Sequence, residues 1–189
     1  MRIVAGTHRG RPLSAPPGGA LRPTADRVRE AVFNSLCHGN VRIGAGDAVR
    51  EVRVLDGFSG TGAMALEALS RGAAFATCID IDRTALECCR ANAEKLDLLS
   101  RMDILSGDCL APVRPREPCS LIFLDPPYFQ DFAAPALAAL AKAGWIEDGA
   151  LCVIETGAKE KPDWPEEAVI LDQRKYGKAL ITFLRWRAA

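Results

Sequence analysis

The sequence predicts an α/β fold, a mainly parallel sheet with helices on both faces that closes on an antiparallel hairpin. Two observations carry this: short apolar runs alternate with segments of helical apolar spacing, and an acidic residue stands at or just beyond the end of several runs. Val52 to Leu55 is the first strand; a Gly-rich turn and a helix from about Gly62 to Arg71 follow, stopped by Gly72. Phe75 to Ile79 is the second strand. Asp82 is placed to cap a helix that carries Leu86, Cys89, Ala93 and Leu96 along one stripe. Met102 to Leu105 and Leu121 to Leu124 supply two more strands, and a helix rich in Ala and Leu runs from near Phe132 to Ala143. Ala150 to Ile154 is the fifth. Ala168 to Leu171 and Ala179 to Trp186, joined across Lys175-Tyr176-Gly177, read as the closing hairpin. Ahead of this core, Arg22-Pro23-Thr24 opens a helix with Val28, Val32 and Leu36 on one face. Residues 1–40 are therefore expected to form an appended arm and helix, and residues 41–189 a single compact unit.

Composition narrows the function classes. The chain has 189 residues, 49% hydrophobic and 25% charged, enough to bury one proper core. No stretch approaches the roughly 20 apolar residues of a membrane span, and the Arg-bearing N-terminus lacks the apolar centre of a secretory signal, so a cytoplasmic protein is expected. The seven cysteines show no paired spacing, and His8 and His38 are the only histidines. Neither a metal site nor a Ser-His-Asp triad is expected. The net charge is zero, yet residues 1–30 hold six arginines (Arg2, Arg9, Arg11, Arg22, Arg27 and Arg29) against Asp26 and Glu30. A smaller cluster, Arg174, Lys175, Lys178, Arg185 and Arg187, lies near the C-terminus. Any one of these is ordinarily a solvated surface charge. The arginine-only N-terminal group, with its planar forks, favours RNA contact.

Ligands of parallel α/β sheets bind beyond the carboxyl ends of the strands, where Asp56, Asp80, Asp108 and Asp125 are expected to line one rim. The turn Asp56-Gly57-Phe58-Ser59-Gly60-Thr61-Gly62 suits two cofactor classes. Gly60, Gly62 and Ala65 match a dinucleotide fingerprint, with Asp80 lying 20 residues beyond Gly60 as the ribose acid. Asp56 argues for the other class: at the mouth of the loop it repels a pyrophosphate and suits the ammonium and sulfonium of S-adenosylmethionine. Asp80 then accepts both ribose hydroxyls. Asp108 reads equally as an acceptor for the adenine amino group or as a turn aspartate.

Asp125-Pro126-Pro127-Tyr128 reads as a grip for a planar amino group. An exocyclic amine is a poor nucleophile because its lone pair is delocalised into the ring. The Asp125 carboxylate and a carbonyl of the Pro126-Pro127 step can each accept one N–H, aiming the nitrogen at a donor, and Tyr128 can stack on the base.

The Gly-rich turn, Leu66-Glu67-Ala68-Leu69-Ser70-Arg71-Gly72-Ala73, Asp80, Gly107-Asp108 and Asp125 to Tyr128 together resemble a Rossmann-like class I S-adenosylmethionine-dependent methyltransferase. Arg2-Ile3-Val4-Ala5-Gly6, Arg9-Gly10-Arg11, Arg22-Pro23-Thr24, Arg27-x-Arg29-Glu30-x-x-Phe33-Asn34 and Tyr176-Gly177 narrow the resemblance, over essentially the whole chain, to the bacterial small-subunit (16S) ribosomal RNA guanine-N2 methyltransferases. That likeness implies a seven-stranded sheet and 16S RNA as substrate, naked or in an assembling small subunit; a monomer is adequate for a domain of this size. It adds Ile81 and Cys109 to the cofactor residues, and Lys175 and Tyr176 to the RNA contacts. The chain departs from the usual pattern at Gly57, Ser59, Thr61 and Asp80, without losing a functional group. The implied chemistry is attack of an unstacked guanine N2 on the sulfonium methyl, with Asp125 or water taking the proton. Three rivals stand beside it, one of them a non-catalytic RNA-binding protein that keeps the fold. A DNA adenine-N6 methyltransferase shares the Asp-Pro-Pro-Tyr motif, and a nicotinamide oxidoreductase shares the Gly-rich turn.

Overall fold

The computed structural model describes residues 1–15, 23–38 and 47–188. Its seven strands form one sheet, in the order β3-β2-β1-β4-β5-β7-β6. They are β1 (Arg53–Gly57), β2 (Phe75–Asp80), β3 (Met102–Ser106), β4 (Cys119–Leu124), β5 (Ile146–Gly157), β6 (Ala168–Tyr176) and β7 (Ala179–Trp186). Strands β1 to β5 run parallel, and β7 pairs antiparallel with both β5 and β6. The helices are α1 (Pro23–His38), α2 (Ala63–Ser70), α3 (Arg83–Lys95) and α4 (Ala133–Ala143).

The central strands are largely apolar on both faces because both faces are covered. On one face Val54, Cys78, Leu121, Phe123, Leu151 and Val153 pack with the inward stripes of α1, α2 and α3. Leu55, Ile122, Leu124, Cys152 and Ile154 meet Leu137 and Leu140 of α4 on the other. Phe33 of α1 is fully buried, with its ring 5.4 Å from that of Phe123. Asp82 caps α3 as expected, accepting the Thr84 and Ala85 N–H groups at 2.9 and 3.3 Å.

Two strands outrun their apolar signal. β5 begins at Ile146, four residues ahead of the expected Ala150, because Glu147, Asp148 and Gly149 lie in a stretch whose register to β4 is irregular. β6 continues past Leu171 to Tyr176 with a bulge between Ile170 and Asp172. It is an edge strand, and its polar residues face water.

The N-terminal arm packs against α2. Residues 1–13 fold back on themselves, with Ile3 N–H donating to Arg11 O at 3.0 Å and Leu13 N–H to Met1 O at 3.0 Å. Ile3 and Leu13 belong to the same core as the inward residues of α1, α2 and α3. The anchor is Glu67, fully buried on α2. Its carboxylate accepts the Val4 and Ala5 N–H groups at 2.8 and 3.0 Å and the Arg71 Nε–H at 2.7 Å, and lies 3.7 Å from Arg29 Nε. Gly6, at φ +81°, lets the chain pass so close to the end of α2 that a Cβ there would sit 1.8 Å from Ser70 O.

Truncating Glu67 strands two buried guanidinium groups and two N–H donors. Glu67→Ala is expected to lower unfolding stability by about 3–5 kcal/mol in urea titrations; a loss below about 1 kcal/mol would remove its anchoring role.

Candidate active site

Register builds the site. Asp56 sits opposite Cys78 of β2 and Phe123 of β4, and Phe123 sits opposite Val153 of β5. Side chains alternate across a sheet, so the residues two positions beyond Cys78, Phe123 and Val153 come out on the same face, one step past Asp56. Those residues are Asp80, Asp125 and Glu155. Four acids from four adjacent strands thus gather at the carboxyl rim.

Two adjoining cavities open there. The larger, about 800 Å³, is walled by Asp56 and by Phe58, Ser59, Gly60 and Thr61 of the Gly-rich turn. The smaller, about 620 Å³, is walled by Asp80 and Ile81 and by Asp108 and Cys109, with Pro126 and Pro127 at its other end. Phe58, Asp125, Tyr128 and Glu155 line both, so they form the junction. Asp56 and Asp125 share the larger cavity.

The turn is held by its own acids. Asp56 Oδ2 accepts the Ala65 N–H at 3.0 Å at the start of α2, and Asp80 Oδ2 accepts the Gly60 N–H at 2.7 Å. Asp80 Oδ1 takes the Asp82 N–H at 2.9 Å, which leaves each of its oxygens a further lone pair for a ligand. Phe58, Gly60 and Gly62 have φ of 56°, 52° and 74°. Gly60 has no atom within 4 Å of a would-be Cβ, so that space belongs to the cavity. Gly57 and Gly62 line neither cavity and lie beneath it instead. A Cβ on Gly57 would meet Leu124 at 2.6 Å, and one on Gly62 would meet Cys89 Sγ at 2.4 Å. Asp108 serves as a turn aspartate, its Oδ1 accepting the Leu110 N–H at 2.8 Å, while also walling the smaller cavity.

Asp56 is 3% exposed. Burial pushes its carboxyl up to about 8, assisted by the nearby Asp125 and Asp80, while the Ala65 N–H bond pulls the other way. Burial likewise raises the Cys109 and Cys119 thiols to about 12, which leaves them unreactive at neutral pH. Tyr128 donates its hydroxyl proton to Glu155 Oε1. Glu155 was not singled out in the sequence, although the signal was there: it follows Leu151 to Ile154 as Asp125 follows Leu121 to Leu124. Phe129, at φ 60° and 68% exposed, is held beside this junction by its N–H bond to Glu160 Oε1 at 2.9 Å.

Of the expected RNA contacts, Arg2, Arg9, Arg11 and Arg27 are exposed, as is Lys175, whereas Arg22 lies outside the described residues. Tyr176 is half-buried and walls the larger cavity together with Met1 and Val28. Arg29 differs from the other arginines: it is 4% exposed, its Nη2 donates to Arg2 O at 2.5 Å and to Asp26 Oδ1 at 3.0 Å, and it lies in the wall of the larger cavity. Among the described residues no group of three potential metal ligands occurs, and no helix is long and apolar enough to cross a membrane.

The Asp56 shift has a pH signature. In the unfolded chain its carboxyl ionises near 3.8, while in the folded chain it keeps its proton to about 8. The folded state therefore binds more protons across that window, and this contribution to stability, complete below about pH 4, is lost as pH rises to about 8. Asp56→Asn cannot ionise. Its stability is expected to fall less than that of the parent between those limits in urea titrations at stepped pH, and parallel curves would contradict the shift.

Known proteins share both the sequence and this geometry. The family model described as "Conserved hypothetical protein 95" matches residues 1–185. Ribosomal RNA small subunit methyltransferase D of Haemophilus influenzae is 31% identical over 185 residues, covering 94% of this chain and 89% of the relative. The protein of the same name from Escherichia coli K12 is 35% identical over 156 residues, covering 82% and 74%. Among solved structures, the putative methyltransferase yhhF from Escherichia coli superposes with a TM-score of 0.85 at 31% identity, covering 100% of this chain and 99% of that one. The chain belongs to this family, that of Conserved hypothetical protein 95 and the ribosomal RNA small subunit methyltransferases D, and has its class I methyltransferase fold.

Proposed function

We propose that the protein methylates the exocyclic N2 amino group of a guanine in 16S ribosomal RNA, with S-adenosylmethionine as donor. The observation that carries this reading is the shared cavity of Asp56 and Asp125, joined at Tyr128 and Glu155 to a second cavity floored by Asp80. Such connected spaces suit a donor that reaches from Asp56 to Asp80 past the junction where an acceptor would meet it. The ribosomal RNA reading is supported by the names of the relatives.

When bound, S-adenosylmethionine supplies an electrophilic methyl group on a sulfonium. The residues present fit it. Asp56 offers a buried carboxylate to its ammonium group, and the cation in turn favours ionisation of an acid that burial otherwise keeps protonated. Asp80 offers its remaining lone pairs to the ribose hydroxyls. Ile81, 72% exposed at the end of β2, offers an apolar face to the adenine ring, and Asp108 and Cys109 close the far side. A pyrophosphate, by contrast, would meet the Asp80 carboxylate at the loop and gain no cation from Asp56, which disfavours the nicotinamide reading.

On the acceptor side, Asp125 accepts an N–H of the amino group and turns its lone pair toward the methyl carbon, and Tyr128 flanks the unstacked base. Alignment supplies the acceleration; no strong base is needed, since the nitrogen becomes acidic as the new bond forms. Arg2, Arg9, Arg11 and Arg27 carry the positive charge for the RNA backbone. The hairpin residues Lys175 and Tyr176 approach from the other side of the cavity that Met1 and Val28 share.

Asp125→Ala is expected to bind S-adenosylhomocysteine within about threefold of the parent by calorimetry, yet to lose at least about a hundredfold in transfer, because it aligns only the acceptor. The decisive assay offers labelled donor with free 16S RNA, small ribosomal subunits and DNA, followed by nucleoside digestion. Label in N2-methylguanosine supports the reading, and label in N6-methyldeoxyadenosine from DNA would replace it.

A further inference from the structure

We propose that Glu155 selects guanine over adenine, its carboxylate accepting the N1–H of the base while Asp125 accepts from the neighbouring amino group. The inference rests on the guanine reading above and adds to it the residue that makes the choice.

The placement comes from the sheet. Leu124 pairs with Ile154, so Asp125 and Glu155 leave adjacent parallel strands at the same level, on the face where Phe123 and Val153 lie. Neighbouring strands are about 4.8 Å apart, which sets two carboxylates side by side at the junction of both cavities. The Tyr128 hydroxyl donates to Glu155 Oε1 and holds the group in place. A carboxylate accepts at about four positions, so this bond leaves acceptor capacity for a ligand.

The edge of guanine that carries its amino group presents two donors in a row, N1–H and N2–H. Adenine presents N6–H beside N1, which is an acceptor, and cytosine presents N4–H beside N3, also an acceptor. Two adjacent carboxylates match the donor pair. Against adenine or cytosine, one carboxylate would face a lone pair with nothing between them. Asp125 by itself cannot discriminate, because all three bases offer it an amino hydrogen. The selecting element must stand beside it, and Glu155 does.

Glu155→Gln tests this, since an amide can donate to the ring nitrogen of adenine. With labelled donor and 16S RNA, the variant is expected to make at least about tenfold less N2-methylguanosine, with the ratio of labelled adenosine to labelled guanosine raised and S-adenosylhomocysteine affinity within about threefold of the parent. Tyr128→Phe, which removes the hydroxyl bond to Glu155, is expected to slow transfer without changing that ratio. An unchanged rate and ratio in Glu155→Gln would overturn the assignment, as would the same ratio change in Tyr128→Phe, which would reduce Glu155 to a support for the tyrosine. Should Glu155→Gln fail to bind S-adenosylhomocysteine, the parent enzyme is given RNA with 2-aminopurine at the methylated position. That base keeps the amino group and lacks N1–H. At least about tenfold loss is expected, and full turnover would overturn the proposal. Failure of the guanine reading itself would appear separately, as an absence of labelled guanosine with the parent enzyme.

Discussion

The site depends on the parallel register of β1, β2, β4 and β5. Backbone hydrogen bonds fix Asp56 against Cys78 and Phe123, and Phe123 against Val153. Once that register is set, alternation leaves no freedom in where Asp80, Asp125 and Glu155 emerge. A slip of one residue in any strand would send its acid to the opposite face, among the side chains of α4. The buried apolar residues on both faces make such a slip costly. Core packing and site geometry are thus two results of one constraint.

Gathering acids at one rim has an electrostatic consequence. Asp56 is held away from water with two other carboxylates nearby, and it resists ionisation. A cavity of this kind is poorly suited to an anion and well suited to a cationic ligand, whose charge offsets both the burial and the neighbours. The backbone N–H groups of Gly60 and Ala65 are already engaged by Asp80 and Asp56, so the loop is shaped before any ligand arrives. Preorganisation of this sort reduces the ordering cost of binding.

Glu67 couples this rim to the N-terminal arm. One buried carboxylate receives two arm N–H groups and an arginine from its own helix, with Arg29 of α1 close by. The same helix begins at the Gly-rich turn, and its N-terminal Ala65 N–H holds Asp56. The exposed arginines of the arm are therefore carried on a rigid support that reaches the cavity wall at Met1.

Much of this was legible in the amino-acid order. Apolar runs ending in acids located β1, β2 and β4 with the acids at their ends, the Gly-rich spacing located the turn between β1 and α2, and Asp82 marked the start of α3, because these are local signals governed by backbone sterics and side-chain capping. Glu155 carried the same local mark. What sets it beside Asp125 is the pairing of β5 with β4, a contact between residues 30 positions apart that no local pattern contains. Arg29 shows the opposite case: its neighbours made it one more member of a basic cluster, and only the tertiary fold, by burying Glu67 and carrying the arm across α1, turned it inward. The chain by itself determined which chemical groups are present and which strand ends carry them. The packed sheet and the folded-back arm decided which of those groups face one another, because facing is set by register and burial, and both are properties of segments distant in sequence.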